Sequence, residues 1–261
     1  MSSPTHSVSF DRAAEYYDET RALPDKVARQ VLDNLVAELK DRGPVLEVGI
    51  GTGRWAIPLA AGGIAMHGID ISLPMLHRLR EKTVPGVSVG AARADATSLP
   101  FANGGFGAVV ASHVLHLIPD WDAAVREMLR VVQPGGVVLV DAGGSEQLNA
   151  LLSPILETEL GRPLLHPGLN QVQDLDQLMT SLGATCRFLE AVTERMERPL
   201  RRLVNNIRSN QWSFTWSLDE AGRERAAQLV ERWAAGTLGS VDEPREYENQ
   251  IIWRAYDTLR D

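Results

Sequence analysis

Apolar residues at 27, 31, 32, 35, 36 and 39 recur at helical spacing, which predicts a helix over Lys26–Leu39 with one buried face. Directly after Gly43-Pro44 the pattern changes to short apolar runs. Val45–Val48, Ala65–Ile69, Val87–Val89, Phe106–Ser112 and Val137–Val140 each read as a strand. Between the fourth and fifth, Asp122–Val132 is amphipathic and stops at Gln133-Pro134-Gly135-Gly136. Strands that alternate with helices in this way predict a doubly wound α/β sheet.

Ahead of this core, Phe10–Arg21 reads as a short helix and turn. Behind it, Leu148–Leu156 and Gln173–Leu182 have helical spacing, Gly183 breaks the second, and a sixth strand follows at about Thr185–Val192. The closing strand is expected at Gln250–Tyr256. Thr193–Asn249 lies between the last two strands, although a hairpin needs only about two to five residues. Its helical patterns, Leu200–Trp212 and Leu218–Ala235, predict a helical insertion.

The richest chemistry stands where the first strand ends, in Val45-Leu46-Glu47-Val48-Gly49-Ile50-Gly51-Thr52-Gly53-Arg54. Glycine has no Cβ, so Gly49, Gly51 and Gly53 let the backbone turn with positive φ and lie against a bound molecule. Asp70 ends the second strand, where a carboxylate can accept hydrogen bonds from both hydroxyls of a ribose. The ligand is thus expected to contain a nucleoside. Asp70 alone has a second reading, as the cap of a helix beginning near Ser72 or Leu73. Glu47 sits at a strand end in apolar surroundings, so a backbone amide or a ligand amino group is expected beside it.

Dinucleotide loops read G-x-G-x-x-G, and here Arg54 holds the place of the third glycine. The G-x-G-x-G form after an acidic residue resembles motif I of the class I S-adenosylmethionine-dependent methyltransferases. Asp95-Ala96, the Leu99-Pro100-Phe101 step and Pro134-Gly135-Gly136 are similar to the ubiquinone and menaquinone biosynthesis branch over roughly residues 10–142. The resemblance implies a Rossmann-like, seven-stranded, mostly parallel sheet with an antiparallel last strand and the helical insertion near the C-terminus. It implies S-adenosyl-L-methionine as cofactor, held by Glu47, the three glycines, Asp70 and Ile71. Asp95 would accept from the adenine amino group, Ala96 would meet the ring, Ser112 and His113 would touch the cofactor, and Tyr17 would shield its sulfonium. The division expected is an N-terminal segment 1–42 over the cofactor, a core 43–192, the insertion 193–249 as a cap or substrate region, and a closing strand 250–261.

In-line methyl transfer needs donor and acceptor aligned, and a base only when the acceptor has a proton to lose. His113 and His116 follow the fourth strand and are the base candidates, with Asp141 a further candidate for the acceptor pocket. No His-x-x-x-His pair with a carboxylate is present, so no metal is expected. A nicotinamide-dependent oxidoreductase and a non-catalytic S-adenosylmethionine-binding protein stand as the alternative classes.

Composition narrows the partners. The net charge of -8 disfavours a broad nucleic-acid surface, so a small-molecule methyl acceptor is expected. Ala96–Pro119, the longest run without formal charge, contains prolines and glycines and reads as no membrane span. A single cysteine, Cys186, and no targeting pattern in Met1–Asp11 fit a cytoplasmic enzyme. Two features keep two readings each. Arg195, Arg198, Arg201, Arg202 and Arg208 form either a solvated helix face or a contact for an anionic group on the acceptor. Trp212, Phe214, Trp216 and Trp233 either pack the insertion or line an apolar pocket. Oligomeric state is not legible.

Overall fold

The structure, a computed structural model, describes residues 9–142, 165–211 and 218–259 together with 153, 156, 157, 161, 215 and 216. The strands are β1 (Val45–Val48), β2 (Met66–Asp70), β3 (Val89–Arg93), β4 (Phe106–Ser112), β5 (Val132–Asp141), β6 (Thr185–Phe188), β7 (Val192–Pro199), β8 (Pro244–Ile251) and β9 (Arg254–Asp257). The helices are α1 (Tyr17–Arg21), α2 (Asp25–Leu39), α3 (Ala56–Ala61), α4 (Leu73–Lys82), α5 (Trp121–Val131), α6 (Val172–Ser181), α7 (Arg201–Arg208) and α8 (Glu220–Thr237). The chain divides into two compact units. One comprises Met1–Gly143, Pro167–Val192 and Ile251–Asp261, the other Gly144–His166 and Thr193–Gln250.

In the first unit the central strands bury both faces. Leu46, Val48, Val109, Ala111, Val138 and Val140 enter one apolar cluster, and Val45, Ala108, Val110, Val137 and Leu139 enter another. Such strands need a helical layer on each side. Helices α5 and α6 cover the first face through Val125, Met128, Leu175 and Met179. The second is covered by α2, α3 and α4 through Val31, Leu35, Leu59 and Leu79. The seven strands run in the order β3-β2-β1-β4-β5-β9-β6, parallel except for β9, which is antiparallel to both neighbours. This is the mostly parallel sheet expected. Its order reverses between β1 and β4, where ligands of doubly wound sheets collect.

Several boundaries differ from the pattern-based expectation. The fifth strand begins at Val132, because β4 advances from Phe106 to Ala108 while β5 runs from Val132 to Val137 and extrudes the Pro134-Gly135 loop. The sixth strand stops at Phe188, and Val192 opens another strand. The closing strand starts at Arg254, since the chain leaves β8 at Ile251 and buries Trp253 against Trp55 before re-entering the sheet. The helix expected over Leu148–Leu156 lies outside the described residues except at Ser153 and Leu156.

In the second unit α7 and α8 pack through Leu203, Val204 and Ile207 against Ala227, Val230 and Ala234. The paired strands β7 and β8 were not expected, because Val192–Pro199 carries four charged residues that mask its alternation. Trp233 packs against this core, whereas Trp212 and Phe214 lie outside the described residues.

Tyr256 on β9 is fully buried and donates its hydroxyl to Asp176 Oδ1 on α6 at 2.6 Å. Burial and that bond push its ionisation up. Replacing Tyr256→Phe leaves the carboxylate without this donor and is expected to cost about 1–2 kcal/mol. Urea unfolding should show a lower midpoint at unchanged slope.

Candidate functional site

The glycine loop is shaped by its own backbone. Gly49 and Ile50 both donate to the Ile69 carbonyl, at 2.8 and 2.9 Å, which pins the loop to the tip of β2. Gly49, Gly51 and Gly53 take φ of 71°, 55° and 81°. A Cβ at Gly49 would stand 2.5 Å from Val114 Cγ2, whereas one at Gly51 would meet nothing nearer than 3.9 Å. Gly51 therefore faces open space.

Asp70 closes the loop. Its Oδ2 accepts from Gly51 N at 2.9 Å and its Oδ1 from Ser72 N at 2.8 Å. Ser72, not Asp70, caps α4, its Oγ accepting from Met75 N at 3.3 Å. A carboxylate offers about four lone-pair sites, so each oxygen of Asp70 keeps acceptor capacity. Burial raises the pKa of Asp70 against these two bonds, and the charge of Asp11 adds to the rise. Ile71 follows, half-buried, its carbonyl accepting from Arg93 Nε at 3.0 Å.

Glu47 lies one strand over and is buried, on the α3 side of β1. The Ala56 backbone N–H supports its carboxyl, which is the amide partner expected, while Oε2 has no partner among the described residues. Burial and the nearby charge of Asp70 push its pKa up to about 8. The site thus gathers acidic groups and leaves one buried oxygen unsatisfied.

The N-terminal segment is anchored to the loop. Thr52 Oγ1 donates to Asp18 Oδ1 at 2.6 Å, and Lys82 Nζ reaches Asp18 Oδ2 at 2.8 Å. Tyr17, beside Asp18 on α1, stacks edge-on with Phe10. Burial raises its hydroxyl pKa, and the charges of Arg21, Arg54, Asp70 and Glu47 all reach it. Asp18 was missed from sequence, since nothing in its spacing marks it as an anchor. At the tip of β3, Asp95 is exposed and its Oδ1 accepts from the backbone and hydroxyl of Thr97, whereas Ala96 is buried.

Ser112, His113 and Asp141 meet at the ends of β4 and β5. His113 Nε2 lies 3.1 Å from Asp141 Oδ2, and His113 N donates to the Asp141 carbonyl at 2.8 Å. Ser112 Oγ reaches the same Oδ2 at 3.3 Å and accepts from Trp55 Nε1 at 3.3 Å. His113 holds φ of 52°, a conformation uncommon outside glycine. Asp141 is buried, whereas the imidazole is 38% exposed. A proton on Nε2, facing the carboxylate, leaves Nδ1 as the basic atom. His116 stands in the next turn, Leu115–Leu117, where its carbonyl accepts from Gly168 N at 3.0 Å. No group of three or more His, Cys, Asp or Glu that could hold a metal occurs among the described residues.

Residues 46–140 match the family model described as a methyltransferase domain. The demethylmenaquinone methyltransferase of Streptomyces avermitilis is 37% identical over 134 residues, which are 50% of this chain and 57% of that protein. That of Mycolicibacterium vanbaalenii is 33% identical over 159 residues, 59% of this chain and 67% of that protein. The chain belongs to the class I S-adenosylmethionine-dependent methyltransferases. Among solved structures, the YcgJ protein of Bacillus has a TM-score of 0.62 at 17% identity, covering 91% of this chain and 100% of that one, which supports the fold alone. The matches span about half to two thirds of these relatives' length, and the stretch matched by the family model runs from β1 to β5.

Methyltransferases of this class use S-adenosylmethionine, and the site fits it. A buried oxygen without a partner among the described residues, an open glycine turn and a ribose-competent carboxylate converge on one place. Glu47 gives the site a pH signature. The native state keeps a proton that the unfolded chain releases above its ordinary value of 4.5, so the stability from this group is complete below 4.5 and lost as pH rises to about 8. Between about pH 5 and pH 8 the ligand-free protein should lose a few kcal/mol relative to Glu47→Gln, read by urea unfolding at each pH.

Proposed function

We propose that this enzyme methylates a small molecule whose acceptor atom loses a proton, with Glu47 and Asp70 gripping the donor and His113 taking the proton. The observation that carries the reading is the paired acidity beside the glycine loop, where one Glu47 oxygen has no partner among the described residues. A buried carboxyl of this kind is stabilised by a cation and destabilised by a phosphate. That favours a sulfonium nucleoside over a nicotinamide dinucleotide, in agreement with Arg54 at the place of the third glycine.

When bound, S-adenosylmethionine supplies an electrophilic methyl group. Asp70 offers its spare lone pairs to the ribose, Glu47 accepts from the amino group of the methionine moiety, and Ile71, Asp95 and Ala96 border the adenine. Tyr17 covers the loop from α1, held there by the Asp18–Thr52 bond. Ser112 fixes the Asp141 carboxylate, which holds His113 through Nε2 and leaves Nδ1 as the base. His113 is the preferred base because a buried carboxylate stands 3.1 Å from its Nε2. A carboxylate-oriented histidine also argues against a purely donor-binding protein, which has no use for a base.

On this reading 1–42 is the cover, 43–192 the donor-binding core, 193–249 the part that selects the acceptor, and 250–261 the closing strand. The relatives' quinone is not carried over, because the family model's match, 46–140, leaves the proposed acceptor-selecting part 193–249 uncovered. No described helix is long and apolar enough to cross a membrane, and a lone, half-buried Cys186 favours a reducing cytoplasm. The direct test is incubation with methyl-labelled donor and a metabolite extract. Labelled product supports the reading, and absence of donor binding with tight nicotinamide binding overturns it.

Asp70→Ala should weaken S-adenosylmethionine about 10- to 100-fold by calorimetry, the loss expected for charge-assisted bonds. His113→Asn keeps a side chain that tolerates positive φ but removes the base. Its kcat should fall about 10²- to 10⁴-fold, and partly recover at alkaline pH as the acceptor ionises on its own.

A further inference from the structure

The arginine cluster of the second unit resolves into two groups. Arg195 pairs with Glu248 at 3.1 Å, Arg201 with Asp242 and Glu231, and Arg208 with Glu224 and Glu231. Arg198 and Arg202 have no carboxylate partner among the described residues. Both line one cleft, with Asn206 and Tyr247, over a floor of Leu200 and Leu203. It is a shallow cleft open to solvent.

Three further features of the cleft have one sign. The Tyr247 hydroxyl is buried without a hydrogen-bond partner among the described residues. Burial raises its pKa, and the charges that reach it, Arg245 and Arg198, are both positive. Arg245 is already engaged with the Leu238 carbonyl and Glu243, so its charge is shared. The first turn of α7 also borders the cleft, its N-terminus lacks a side-chain cap, and a helix start favours negative charge. Two guanidinium groups, an amide and an unsatisfied hydroxyl form a donor-rich lining that no acid of the chain neutralises among the described residues. We propose that this cleft binds a small organic anion, which Arg198 and Arg202 grip through a carboxylate or phosphate group. Guanidinium forks match the geometry of both. The Tyr247 hydroxyl then donates to the same group.

The experiment is isothermal titration of the full chain with inorganic phosphate and, separately, with succinate, against chloride at matched ionic strength. Saturable binding of either anion is expected, and the tighter one names the ligand group. Arg198→Ala and Arg202→Ala should each weaken it at least about tenfold, and Tyr247→Phe about threefold to tenfold. Arg202 is exposed, so its variant should keep the wild-type melting temperature and donor affinity, which separates loss of the site from loss of the fold. Heats no larger than those of chloride, or affinities unchanged when both arginines are replaced, would overturn the proposal. Donor binding is read in the same samples, so failure of the methyltransferase reading registers independently.

Discussion

The Asp70 carboxylate holds two backbone segments that would otherwise part. It accepts from Gly51 in the glycine loop and from Ser72 at the start of α4, so one side chain fixes the loop, the tip of β2 and the next helix together. Every other element of the donor site is placed relative to this junction. Thr52 follows Gly51 and reaches Asp18, and Asp18 brings α1 with Tyr17 over the loop. Lys82, at the far end of α4, closes the circuit by binding Asp18 as well. The donor site is thus a ring of contacts that ties the loop, the tip of β2, α4 and α1 together.

A second constraint acts at the ends of β4 and β5. A histidine at positive φ is strained, and the strain persists because both its backbone N–H and its imidazole are bonded to Asp141. Trp55, at the end of the glycine loop, reaches Ser112 and through it the same carboxylate. The donor loop and the candidate base therefore share one hydrogen-bond chain, and a shift in the loop is felt at the imidazole.

What was legible in the sequence is what local chemistry dictates. Three glycines two apart, an acid before them and an acid ending the next strand are short-range signals, and the structure brings Glu47, the loop and Asp70 together. His113 was legible as a candidate, but its pairing with Asp141 joins separate strands and depends on sheet register. The strands β7 and β8 were hidden because Glu194, Arg195, Glu197 and Arg198 overlay the apolar alternation. Trp253 explains the displaced last strand, since burying an indole against Trp55 interrupts the pairing that an unbroken apolar run suggests. The arginine cluster looked uniform along the chain, and only the placement of Glu231, Glu224, Asp242 and Glu248 separates its members that have a carboxylate partner among the described residues from those that do not.

The acidity of the donor site also has a consequence for turnover on the proposed reading. With a pKa of about 8, Glu47 holds its proton at neutral pH when no cation is near, because desolvation and Asp70 both oppose its charge. A cationic group beside Glu47 and Asp70 relieves both penalties, so donor entry and loss of that proton are linked. Methyl transfer removes the sulfonium charge from the site while the carboxylates stay where the backbone holds them. Their electrostatic hold on what is left is then weaker by the charge that departed, which favours release of the demethylated product over retention without any movement of the fold.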